Sequence, residues 1–192
     1  MRRALLGGTF DPPHLAHLVV GEAALTQLGV EVVTFIPAGR PWQKADRSVS
    51  DADHRWAMTV LAVGGRDGFE ADQREVRRDG WTYTVDTLET FPDDDEIVLV
   101  LGADAARNLP SWHRSDRVLD RTEIAVAPRG GVGAAEIAER IGPHEWLDIP
   151  EIDLSGTMLR DRVRRGRSIR YLVPEPVRLH VIENALYLAH QA

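Results

Sequence analysis

The apolar run Ala4-Leu5-Leu6 stops abruptly in Gly7 and Gly8. After a break through Phe10-Asp11-Pro12-Pro13, apolar positions recur at helical spacing from Leu15 to Leu28 and end at Gly29. That pattern predicts a buried strand, a turn and a helix closed by a glycine. Val32 to Pro37 reads as a second buried strand. A crossover between neighbouring parallel strands is right-handed, so the glycine turn falls at the carboxyl edge of the sheet, where open α/β sheets bind ligands.

The same reading extends along the chain. Ala38 to Val49 is a polar loop, and Ser50-Asp51-Ala52-Asp53 forms an acidic helix start that leads to Val63. Phe69 to Arg78 alternates weakly and is expected to be a strand, with a turn at Asp79-Gly80. Ile97 to Leu101 is the cleanest buried strand, followed by Gly102-Ala103-Asp104 and a short helix from Ala105 to Leu109 that Asp104 would cap. Glu123 to Ala127 and Glu145 to Ile149 are further strands around a helix from Ala134 to Ile141. Pro174 to Tyr187 is a closing amphipathic helix. The alternation predicts an α/β fold, a doubly wound Rossmann-like parallel sheet with helices on both faces. No repeat or linker divides the chain, so residues 1–192 are expected to form a single domain.

Charge and composition narrow the classes. The net charge of −7 argues against general nucleic-acid binding, so a polyanion would need a local cluster. Cysteine is absent, which removes disulfides and thiol nucleophiles. No apolar run approaches the ~20 residues of a membrane span, and the amino terminus enters a core strand rather than a signal peptide; no membrane partner and a cytoplasmic location are expected. Oligomeric state is not readable, and a homo-oligomer stays open.

Two stretches carry polyanion chemistry. At the first, Gly7 and Gly8 admit a close approach where a Cβ would collide, and His14 and His17, three apart, share a face near the positive end of a helix that begins near Pro13. The adjacent glycines do not make the dinucleotide fingerprint G-x-G-x-x-G, so intact NAD is not implied. At the second, Ser155 can cap a helix, leaving the amides of Gly156, Thr157 and Met158 for phosphate oxygens with Arg160 one turn on. The arginines at 162, 164, 165, 167 and 170 read as a solvated basic face. Plainer readings stand beside these: a solvated loop side chain for Lys44, N-capping for Thr82, Thr84 and Asp104, and an ordinary core position for Trp112.

The stretch Gly7-Gly8-Thr9-Phe10-Asp11-Pro12-Pro13-His14-Leu15-Ala16-His17 resembles the nucleotidyltransferase signature in the fuller form found in bacterial nicotinate-nucleotide adenylyltransferases, with Ala16 in place of a glycine. Four later segments are similar to that family in the same order: Pro41-Trp42-Gln43-Lys44 with His54-Arg55, Tyr83-Thr84 to Thr87-Leu88, Leu154-Ser155-Gly156-Thr157 to Arg160, and Ile169 to Pro174. Gly156 replaces a serine, a form that also resembles archaeal nicotinamide-nucleotide enzymes and ATP sulfurylases.

The resemblance implies a nucleotidyltransferase that joins ATP and nicotinate mononucleotide, releasing pyrophosphate and nicotinate adenine dinucleotide, as a step of NAD synthesis. It implies that His14, His17, Arg160 and Lys44 are catalytic. ATP would meet Gly7, Gly8, Thr9, Phe10, His17, Gly102, Asp104, Ser155, Gly156, Thr157 and Arg160. The mononucleotide would meet Lys44, Thr84 at its carboxylate, Trp112 stacked on its ring, and the backbone N–H at His113. Mg²⁺ is implied as a cofactor held mainly by the ATP phosphates, with no dedicated protein ligands. The alternatives are a sister transferase using nicotinamide mononucleotide or another phosphate acceptor, and a nucleotide-binding regulator without catalysis.

Overall fold

The computed structural model describes residues 1–39 and 49–188. Lys44 therefore lies outside the described residues, as do Pro41, Trp42 and Gln43.

The chain opens with β1 (Arg2–Gly8), α1 (Leu15–Gln27) and β2 (Val32–Pro37). It continues through α2 (Ala52–Val63), β3 (Phe69–Ala71), α3 (Thr84–Leu88) and β4 (Glu96–Gly102). Next come α4 (Ala103–Asn108), a 3₁₀ turn (Leu109–Ser111), α5 (Ser115–Arg121) and β5 (Glu123–Ala127). The last elements are α6 (Ala134–Ile141), β6 (Glu145–Trp146), α7 (Gly156–Arg164) and α8 (Glu175–Glu183).

Six parallel strands lie in the order β3-β2-β1-β4-β5-β6. The order reverses between β1 and β4, where crossovers leave in opposite directions and open a crevice at the carboxyl ends. Side-chain alternation loads both faces. Leu5, Leu99 and Leu101 pack with Val85, Leu88, Ala106, Val118 and Ile137, placing α3 to α6 on one side. Ala4, Leu6, Val98 and Val100 pack with Ala23, Ala24 and Val63 on the other. A third cluster, of Met58, Leu159, Val177 and Val181, joins α2, α7 and α8. The doubly wound parallel sheet with helices on both faces is the fold that the alternation of elements predicts.

Four boundaries differ from the pattern-based expectation, and one is the closing helix expected over Pro174–Tyr187: it spans Glu175–Glu183, and the chain leaves it with left-handed φ at Ala185 (49°) and Tyr187 (65°). The strand expected over 69–78 ends at Ala71. It pairs only with β2 at the sheet edge, and at Asp72 the carboxylate takes the amide of Arg74 at 2.8 Å, turning the chain away from the ladder. β4 passes directly into α4, so Gly102 is the N-cap and Asp104 sits within the first turn. The expected strand Glu145–Ile149 pairs only over Glu145–Trp146.

α1 sits close to the sheet because Gly21 faces aromatic rings: a Cβ there would lie 2.6 Å from the Phe35 ring and 3.0 Å from that of Phe69. Gly21→Val is expected to overpack this contact by about 1–3 kcal/mol and lower Tm by about 2–10 °C. Thermal unfolding followed by circular dichroism checks this, and an unchanged Tm would mean that α1 is not seated by that contact.

Candidate active site

A cleft of about 410 Å³ opens at the β1/β4 reversal. Its first wall is the corner between β1 and α1. Gly7 has nothing near its absent Cβ and faces the cleft, whereas a Cβ on Gly8 would approach the Phe10 ring at 3.0 Å. Phe10 turns the corner with a left-handed φ of 49° and is buried, its ring set edge-on to His17 at 4.9 Å. Its side chain supports His17 rather than lining the cleft. A non-glycine residue held there stores about 1–3 kcal/mol of strain that the surrounding packing must hold.

His14 is the N-cap of α1, and His17 stands in its first turn. Their rings stack at 3.7 Å, and both line the cleft together with Thr9. The backbone N–H of His14 donates to Nδ1 of His17 at 3.1 Å. An accepting Nδ1 is unprotonated, which leaves the His17 proton on Nε2 as a donor. His14 is 3% exposed, and its Nδ1 has no partner among the described residues. Burial, helped by the charge of Arg129, pushes its pKa down to about 4, so its ring is neutral at physiological pH.

The opposite wall comes from the segment before α3 and from the turn after α4. Tyr83 is the N-cap of α3, so neither Thr82 nor Thr84 caps it; Thr84 is the first helical residue, and both threonines line the cleft. The Tyr83 and His113 rings meet at 4.6 Å, which ties this wall to Trp112 and His113 beyond the 3₁₀ turn. Trp112 packs against the core on one side, and its buried indole N–H has no partner among the described residues. Gly102 and Asp104 complete the floor at the end of β4.

The second phosphate motif is adjacent to this cleft but does not line it. Ser155 caps α7, and its Oγ accepts the Met158 amide at 3.3 Å. That amide is therefore engaged, contrary to the expectation that three amides are left for a ligand. Arg160 donates to the Asp11 carbonyl oxygen at 2.7 Å and to Thr157 Oγ1 at 3.2 Å. Gly156 is where α7 touches the corner, since a Cβ there would lie 2.8 Å from the Asp11 carbonyl oxygen. Leu154, just before the cap, does line the cleft.

Motif reading missed several residues that the structure brings to or under the site. Arg129 lines the cleft just past β5, in a stretch that reads only as a glycine turn. The rule that strand carboxyl ends carry function, applied to β1 and β4, would have found it. Glu75 lies in the segment misread as strand. Asp11 is inside the first motif, yet its role depends on partners far along the chain. Arg55, which the motif comparison does single out beside His54, is 2% exposed and donates to the carbonyl oxygens of Thr9, Ala38, Gly39 and Ser50. It frames the corner instead of facing a ligand, and burial lowers its pKa.

Among the described residues no three His, Asp or Glu side chains converge as a metal cage. The buried Asp11 carboxylate is taken by Tyr187, Ser50 and Arg160, and the stacked imidazoles are poor partners for Mg²⁺, which prefers oxygen ligands. A resident Mg²⁺ does not fit these residues.

Known proteins share this arrangement of elements. Residues 5–162 match the sequence model of the cytidylyltransferase-like family. A relative from Salinibacter ruber named a probable nicotinate-nucleotide adenylyltransferase is 39% identical, covering 97% of this chain and 98% of its own. One of the same name from Desulfitobacterium hafniense is 38% identical over 97% and 95%. The structure of Plasmodium falciparum nicotinic acid mononucleotide adenylyltransferase complexed with NaAD matches with a TM-score of 0.80 at 17% identity, over 97% of both chains; the likeness is one of fold. By its sequence over nearly its whole length, this chain belongs to the cytidylyltransferase-like family and, within it, to the nicotinate-nucleotide adenylyltransferases.

Proposed function

We infer that this protein transfers the adenylyl group of ATP to nicotinate mononucleotide, forming nicotinate adenine dinucleotide and pyrophosphate in NAD biosynthesis. The observation that carries this reading is one cleft with two differently equipped ends: stacked His14 and His17 at a glycine corner, facing Thr84, Trp112 and His113. The first end suits phosphates. The second offers an aromatic wall and hydrogen-bond donors for a flat ring bearing a carboxylate.

In this reading the mononucleotide 5′-phosphate attacks the α-phosphorus of ATP in line. One P–O bond forms, the bond to the β-phosphate oxygen breaks, and pyrophosphate leaves. No side chain forms a covalent bond. His17 Nε2–H and the remaining ring N–H of neutral His14, which lines the same cleft, donate to the phosphate oxygens on which charge develops, and Arg129 adds positive potential. Ser155, Gly156, Thr157 and Arg160 are assigned to the outer ATP phosphates, which requires Arg160 to exchange part of its hold on Asp11 for the ligand. Gly7, Gly8, Thr9 and Phe10 support the same phosphates through their backbone, and Gly102 and Asp104 are assigned to the adenosine. Lys44 is assigned to phosphate from its motif alone. Mg²⁺ enters as part of the Mg–ATP substrate.

The one continuous sheet supports reading residues 1–192 as a single domain. No helix among the described residues is long and apolar enough to cross a membrane, which is in keeping with a cytoplasmic enzyme. A homo-oligomer is compatible with this reading.

His17→Ala is expected to lower kcat about 10²-fold or more while changing ATP affinity little, because a donor aimed at developing charge acts mainly in the transition state. Steady-state kinetics with an ATP titration of the variant checks this; turnover within a few-fold of wild type would remove His17 from the centre. Nicotinate mononucleotide is expected to exceed nicotinamide mononucleotide about 10²-fold or more in kcat/KM, since an amide turns an NH₂ toward a donor and loses a charge-assisted bond. A pyrophosphate-release assay with both acceptors tests the assignment, and parity would overturn the ring pocket.

A further inference from the structure

Glu75 is 9% exposed, lines the cleft, and is not used by the reaction described above. Its Oε1 accepts the Thr87 hydroxyl at 2.6 Å, and that hydroxyl in turn accepts from Arg78 at 3.1 Å. A second Arg78 nitrogen donates to the Asp86 carbonyl oxygen at 3.2 Å. The network pins α3, which is too short to hold its shape alone. Thr87 lies three residues after Thr84 on α3, so their Cβ atoms are about 5–6 Å apart on one face. Glu75 therefore shares the cleft wall with the hydroxyl assigned to the acceptor's carboxylate, one hydrogen bond and about one helical turn away along α3.

A carboxylate beside a pocket for another carboxylate is an arrangement that needs explaining. We propose that Glu75 is a specificity-setting residue of the acceptor pocket: the anionic pyridine carboxylate enters with Glu75 protonated, and binding takes up a proton from water onto the Glu75 carboxyl. This rests on the reading of the Thr84 end of the cleft as the acceptor site.

Burial is the main influence on this group and raises its pKa to about 7, against the opposing hydrogen bond from Thr87 and the charge of Arg78. Among the described residues the other charged side chains acting on Glu75 are Asp72 and Arg74, which pair with each other at 2.7 Å. α3, packed on it, presents the uncharged Thr87. The backbone of Gly39 closes over the Glu75 carbonyl, where no Cβ fits, and keeps the segment against the cleft. The sign follows. Below about pH 7 Glu75 is neutral and the acceptor meets no repulsion; above it the ionised group opposes the incoming anion. For two unit charges about 6–10 Å apart at an effective dielectric near 20, the repulsion corresponds to about a 15- to 100-fold change in binding, which solvent in the cleft and Arg78 reduce to about 10-fold.

The test is calorimetric titration of the enzyme with nicotinate mononucleotide at pH 7 in two buffers of different ionisation enthalpy, beside KM for both substrates from pH 6 to 8.5. The wild type is expected to take up about 0.3–0.5 proton more than Glu75→Gln, whose amide keeps the acceptor for Thr87 but cannot titrate. KM for the mononucleotide should rise about 10-fold across the range in wild type and by less than twofold in Glu75→Gln, with KM for ATP responding alike in both. Thr87→Val removes a bond that favours the ionised form, so its rise in KM should begin at higher pH. Turnover of the nucleotide with equal proton counts in wild type and Glu75→Gln, or an unmoved profile in Thr87→Val, would overturn the coupling alone. Absence of turnover would overturn the acceptor assignment, and the coupling with it.

Discussion

Solvent barely reaches the carboxylate of Asp11, and groups from three distant parts of the chain satisfy it. Tyr187, past the end of α8, donates its hydroxyl at 2.7 Å, the Ser50 amide donates at 3.1 Å, and Arg160 of α7 pairs with it at 3.7 Å. A buried carboxylate that loses such partners is destabilised by several kcal/mol. The corner after β1, the start of α2 and the two carboxyl-terminal helices are therefore favoured only in one mutual arrangement. Arg55 imposes the same discipline on the backbone, tying carbonyl oxygens at Thr9, Ala38, Gly39 and Ser50. Gly156 removes the Cβ that would keep α7 from closing onto Asp11.

The rigidity of that corner matters because, in the proposed transfer, the site contributes placement rather than reactivity. The His17 ring is fixed by the hydrogen bond from the His14 backbone, by stacking on His14 and by the Phe10 edge. A donor held in advance needs no reorganisation as charge develops, the condition under which electrostatic stabilisation is most effective. Burial keeps His14 neutral, so in the proposed reading it offers the phosphates a ring N–H rather than a charge, and Arg129 supplies the positive potential.

Much of this was legible in the sequence because it is local. The apolar runs at β1, β2, β4 and β5, the glycine after α1 and the Ser155 cap are set by a few adjacent residues, and each lies where the pattern puts it. The His14/His17 pair and the Thr84–Trp112–His113 wall share one cleft as their motifs imply. What stayed hidden depends on distance along the chain. Asp11 meets Arg160 and Tyr187 across 149 and 176 positions, and no local pattern encodes such pairing. Glu75 was hidden because a weakly alternating edge segment looks like strand until the Asp72 turn ends it. Of the two readings of Asp104, the cap fails and the cleft-facing position holds, because residue type alone cannot show that β4 enters α4 with Gly102 already in the capping position.

The central claim is direct transfer: this chain orients two nucleotides and forms no bond to either. The stereochemistry at the transferred phosphorus reports on this most directly. With one diastereomer of adenosine 5′-(α-thio)triphosphate as donor and nicotinate mononucleotide as acceptor, ³¹P spectroscopy of the thio-dinucleotide gives the configuration of the product. A single in-line displacement predicts inversion at that phosphorus. Retention would mean two displacements through an adenylylated side chain, and would contradict the account.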